Sequence, residues 1–140
     1  MIIYLNGMME LKNIQPGEEL IVMPLEFRLL VEPQRKILSV WEGERFICEY
    51  PIIHLGVSGK LPAGKTKIST KSAELDGRVV APQSKDYRAA QKTIQIAKPT
   101  LQIRGGGETA GDAPHGIILN SQDMEEISLL TRVGNEVEIR

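Results

Sequence analysis

Cysteine is almost absent: Cys48 is the single one in 140 residues. A lone thiol excludes an internal disulfide framework and any multi-cysteine metal site. Histidine occurs twice, at His54 and His115. Two imidazoles at unrelated positions fall short of the four ligands of a structural zinc site, so no metal is expected. Excess charge of one sign is also missing. The 17 basic and 18 acidic residues give a formal net charge of -1, and the cations are scattered. That leaves no basic field for nucleic acid. Nor is there a long apolar run: Met1-Ile2-Ile3-Tyr4-Leu5 stops at Asn6-Gly7. This is too short for a signal peptide or a membrane span, so the chain as written reads as cytoplasmic. An export signal upstream would move that expectation to the cell envelope.

What is present is an ordinary globular composition, 41% hydrophobic, on a length that suits one domain with a small appendage. From Phe27 the pattern is strand-like. Phe27–Val31, Lys36–Trp41 and Arg45–Tyr50 are rich in β-branched and aromatic residues, and Glu32-Pro33-Gln34 and Glu42-Gly43 separate them as turns. These are hairpin signals and predict an antiparallel meander. After the glycine-rich stretch Gly56–Gly64, the residues Lys65, Lys67 and Lys71 alternate with Thr66, Ile68 and Thr70. A period of two predicts a strand with a charged outer face. Residues 72–92 are polar and read as a loop with a short helix near Asp86.

Thr93–Ile96 and Thr100–Ile103 alternate apolar and polar residues around Lys98-Pro99, which predicts two strands joined by a turn or bulge. Asn120-Ser121-Gln122-Asp123 can cap a helix, with Asp123, Glu125 and Glu126 suited to its positive end. Met124, Ile127 and Leu130 share one face of that helix. Gly134 ends the unit, and Glu136–Ile139 alternates as a final strand.

Between these elements lies Pro114-His115-Gly116-Ile117-Ile118-Leu119. With its surroundings this run resembles the active-site signature of the L,D-transpeptidases of the YkuD type. That family carries Ser-His-Gly-Cys, a small apolar residue and Arg, then an acidic helix and a Val-Gly-x-x-Val strand. The order of strands from residue 27 onward is similar too. The resemblance implies a mainly β fold, an L,D-transpeptidase-like β-sandwich with one or two short helices, over residues 25–140. It also aligns Ile117 with the family's cysteine, Leu119 with its arginine, and Arg104 with the first histidine of an Ile-His-Gly motif. Residues 1–24, with Leu5-Asn6-Gly7 and Ile14-Gln15-Pro16-Gly17 before an apolar run closed by Pro24, resemble the second half of a lysin motif (LysM). Physically they combine an apolar stub, a type II turn at Pro16-Gly17 and a short strand.

Thiol-based acyl transfer needs a nucleophile beside a base, with donors placed for an oxyanion. Ile117 has no nucleophilic atom. Cys48 sits in an apolar strand pattern and reads as a packing residue. His115 then has no thiol to activate, and His54, closing an apolar run, reads as structural. Gly105-Gly106-Gly107 lacks the Gly-Lys-Ser/Thr ending of a phosphate loop and the dinucleotide spacing; it reads as the rim of a cleft, and no cofactor is expected. Three functions remain open. One is a non-catalytic domain binding peptidoglycan stem peptide, glycan or a protein partner through His115, Gly116 and Arg104. Another is altered acyl-transfer or hydrolytic chemistry using His115 with Arg104 or Asp112. The third is a purely structural assembly module.

Overall fold

The computed structural model describes residues 16, 17, 19, 25–56, 61–106 and 116–140. The lysin-motif-like segment, Gly107, Asp112 and His115 therefore lie outside the described residues, apart from Pro16-Gly17. Those two form a turn with Gly17 at φ 89°, the value a type II turn asks of its third residue.

The chain runs β1 (Phe27–Glu32), β2 (Ile37–Glu42), β3 (Arg45–Pro51), β4 (His54–Gly56), β5 (Gly64–Leu75), β6 (Arg78–Val79), a 3-10 turn (Lys85–Arg88), β7 (Gln91–Ile96), β8 (Leu101–Gly105), β9 (Gly116–Leu119), α1 (Ser121–Leu130) and β10 (Glu136–Ile139). The fold is mainly β, with the expected meander in β1–β3. Strand order is β3-β2-β1-β10-β5-β7-β8-β9-β4, and β6 pairs with β5. Two of the pairings, β1 with β10 and β8 with β9, are parallel.

β5 belongs to both halves of this sheet. Its first residues pair with β10 and its remainder with β7. At the other end the chain closes the structure itself: Ile52 N–H donates to Lys36 O, and Ile53 N–H donates to Ile118 O. One residue thus carries the chain from the β3 edge to the β9 side. Both halves face a single core, with Leu29, Val31, Leu38 and Val40 on one side and Ile94, Ile96, Ile103, Ile117 and Leu119 on the other, all fully buried. Each such side chain stabilises the fold by about 1.5–3 kcal/mol through burial alone.

Two expectations need correction. Residues 72–75 do not begin a loop: they continue β5, which turns back at Asp76-Gly77 into β6. Lys71 is not on a charged outer face. The pairing of β5 with β7 slips between Ile68 and Thr70, and one extra residue reverses the facing of everything beyond it. Lys65 and Lys67 stay outside, whereas Lys71 turns inward and donates to Ser128 O (2.5 Å) and Thr131 O (2.6 Å). These carbonyls close the end of α1, where a cation also suits the helix dipole. Burial, together with the nearby Arg132 guanidinium, pulls the Lys71 ammonium below its ordinary pKa.

α1 starts as its sequence indicates, with the Asn120 side chain accepting from Gln122 N–H at 2.9 Å. It buries Met124 and Ile127 and holds Leu130 partly buried.

Candidate functional site

β9 begins with Gly116, and a side chain there has nowhere to go: a Cβ would sit 2.6 Å from the carbonyl oxygen of Gln102. Glycine lets the strand approach its parallel neighbour β8 this closely. Along β9 the side chains alternate. Ile117 and Leu119, both 0% exposed, belong to the core. Ile118 points the other way, where its Cγ2 lies 2.9 Å from a Cβ built on Gly106. The positions aligned with the cysteine and arginine of the signature thus face inward.

The outer face of this half-sheet is built by pairing. Ile118 is in register with Arg104 on β8 and with His54 on β4. Arg104 is in turn opposite Thr93, and Thr93 opposite Ser72. One row therefore reads Ser72, Thr93, Arg104, Ile118, His54. The adjoining row holds Thr70, Gln95 and Gln102, followed by the Gly116 and Gly56 pair. Arg104 is partly exposed, and His54 is exposed. His54 was expected to be structural, and its placement beside the Arg104 row is what sequence reasoning missed. The alternation in His54-Leu55-Gly56 hinted at its facing, since Leu55 packs on the core. Nothing local indicated that β4 would pair with β9.

Cys48 lies on β3, half-buried against the core, with its thiol donating to the Tyr50 hydroxyl at 3.2 Å. Burial, the Cys48 thiol and the nearby Glu126 carboxylate push the Tyr50 phenol far above its usual range, so it stays neutral. Cys48 and Gly116 are on strands at different places in the sheet order, and the thiol is not part of the outer row. At Gly105 a Cβ would meet Ser121 Cα at 3.0 Å, so glycine lets the end of β8 pack closely on the start of α1.

Beside Gly105 is a cavity of about 370 Å³ between β7, β8 and the start of α1, lined by Arg88, Lys92, Gly105, Gln122, Met124 and Glu125 among others. Lys92 is buried at its wall. Its ammonium donates to the Ala90 carbonyl (2.7 Å), the Tyr87 carbonyl and the Glu125 carboxylate (2.5 Å) and lies 4.5 Å from the Tyr87 ring centre. All three protons of the ammonium are engaged, so Lys92 serves as a post tying the 3-10 turn to α1. Among the described residues no three His, Cys, Asp or Glu side chains gather as a metal site. No described helix is long and apolar enough to cross a membrane.

No protein-family model matches the chain, and no curated protein matches it in sequence. Solved structures do match in shape. An L,D-transpeptidase from Mycobacterium smegmatis superposes with a TM-score of 0.60 at 9% identity, covering 83% of this chain and 59% of that one. The fold is that of the L,D-transpeptidases. An L,D-transpeptidase (Yku) from Stackebrandtia nassauensis gives 0.59 at 14% identity, over 84% of this chain and 57% of that one. A fused Zn-dependent amidase/peptidase/peptidoglycan-binding domain-containing protein from Clostridium acetobutylicum gives 0.58 at 16% identity, over 86% and 55%. The chain spans less than two thirds of the length of each of these structures, and at such identities the likeness establishes the fold alone.

Proposed function

We propose that this chain is a non-catalytic L,D-transpeptidase-like domain that binds cell-wall peptide, or a protein partner presenting similar groups, at the outer face of β7, β8, β9 and β4. The observation that carries the reading is the facing of β9. In the signature the cysteine and arginine are two residues apart, and on a strand such residues share a face. Ile117 and Leu119 share the core face. A match shifted by one residue would put Gly116 and Ile118 on the cleft side instead. Neither frame supplies a nucleophile: Ile117 is sealed in the core, and Gly116 has a backbone oxygen where a Cβ would stand. His115, Gly116 and Arg104 then act in this proposal as ligand contacts, at the cell wall, with no covalent step.

Incubation with muropeptides and with a thiol-trapping β-lactam, followed by intact-mass spectrometry, tests this. The unmodified mass and unexchanged peptides are the expected result. A covalent adduct, or peptide exchange above a no-protein control, overturns the absence of catalysis.

A further inference from the structure

The cavity beside Gly105 lies on the core side of β7 and β8, opposite the row that holds Thr93 and Arg104. Lys92 shares its side of β7 with Ile94 and Ile96, and all three are buried. Its side chain is 2% exposed at the wall of a space of about 370 Å³, a size that suits a small molecule. A buried ammonium needs acceptors for its protons and a counter-charge. Two of its three acceptors here are fixed, since the carbonyl oxygens of Tyr87 and Ala90 belong to the backbone around the 3-10 turn. The third is the Glu125 carboxylate on α1, which accepts at 2.5 Å and whose side chain is 42% exposed. Of the three, Glu125 alone can leave by rotating its side chain toward solvent.

We propose that this cavity binds a small carboxylate, which takes the place of Glu125 on the Lys92 ammonium. The group now in that place defines the chemistry. A carboxylate oxygen already meets Lys92 at hydrogen-bond distance, and both residues line the cavity. A neutral amide there would leave a buried cation without its counter-charge, so the ligand is an anion. With two protons held by fixed carbonyls, one remains to be exchanged, and it forms a charge-assisted bond to a carboxylate. Arg88, also on the lining, adds a second cation to the same space. Ala90 and Met124 give apolar surface to a short aliphatic body, and Gln91 and Gln122 offer amides to a polar substituent. Glu125 is thus a built-in competitor. It keeps the ammonium paired when the cavity is empty, and ligand entry breaks the one side-chain bond from Lys92 to α1.

The full chain, labelled with nitrogen-15, is titrated with propionate and, separately, with propionamide at constant pH and ionic strength. Propionate is expected to shift the amide resonances of Lys92, Gly105 and Gln122 saturably, and propionamide to leave them unmoved. Glu125→Gln keeps an acceptor for Lys92 but removes the competing charge, and should tighten propionate at least tenfold. Lys92→Met should abolish binding; if that variant does not fold, the comparison of Glu125→Gln with the wild type still decides. Equal shifts with acid and amide, no saturable binding to either the wild type or Glu125→Gln, or no gain of affinity in Glu125→Gln overturns the assignment. So do shifts confined to Arg104, Ile118 and His54, which would put the carboxylate on the outer face. The cavity and that face are separate sites, so either reading can fail without the other.

Discussion

The two halves of the sandwich treat their outer faces in opposite ways. On the β3-β2-β1-β10 half, polar and aromatic groups satisfy one another. The Arg28 guanidinium lies 5.3 Å from the Trp41 ring centre, donates to Gly43 O at 3.0 Å and pairs with Glu138 at 3.3 Å. Glu138 accepts again from Arg140 at 2.6 Å, and Lys65 meets Glu136 at 3.1 Å. Trp41 donates to Ser39 Oγ at 2.8 Å, and Phe46 packs edge-on against the indole with ring centres 5.4 Å apart. The β7-β8-β9-β4 face carries amides and hydroxyls with Arg104 and His54. Polar groups that satisfy one another support the sheet they lie on, whereas among the described residues of the second face Arg104 is partly exposed and His54 exposed.

The largest effect that would break this contrast lies under the β7-β8-β9-β4 face. Ile117→Ala removes a fully buried side chain shared by both halves and should cost about 3–4 kcal/mol in urea unfolding. A cost under about 1 kcal/mol would mean that Ile117 does not face the core. On the closed face, Trp41→Ala removes a ring held by Arg28, Ser39 and Phe46. The indole is only partly buried, so about 2 kcal/mol is expected, with peptide titrations unchanged. A matching loss of peptide binding would erase the distinction between the faces.

The smallest effect is acidic. The hydrogen bond from Arg140, reinforced by the charges of Arg140, Lys65 and Arg28, holds the Glu138 carboxyl below the usual carboxylate range. Between its folded pKa and its unfolded value near 4.3, the unfolded chain binds more protons, so stability rises with pH there and is lost as pH falls through the folded value. Glu138→Gln should flatten the acid limb of stability against pH below about 4.3, measured by denaturant titration. An unchanged limb would show that the closed face contributes no such linkage.

Much of the fold was readable because its cues are local. Runs of β-branched and aromatic residues between short turns marked β1–β3, alternation marked β7, β8 and β10, and Asn120 marked the start of α1. The candidate site was less readable. His115 and Asp112 lie outside the described residues, and the role given to Ile117 and Leu119 came from spacing without knowledge of which face of β9 meets the core. Arg104 stands out by its place in the motif, whereas His54 closes an apolar run and reads as structural, and its partner strand is more than 60 residues away in the chain.

By itself the sequence determined the strand periods, the helix cap, the lack of a thiol after His115-Gly116 and the near-neutral charge. Only the tertiary structure decided that Ile117 and Leu119 point inward, that Lys71 turns in to close α1, and that Arg104 and His54 flank Ile118. The reason is physical. A period of two fixes relative facing within one strand, whereas absolute facing follows from which side is buried, and a single extra residue at Ser69 reverses it. Pairing between distant strands is set by closure of the whole sheet, which no local stretch encodes.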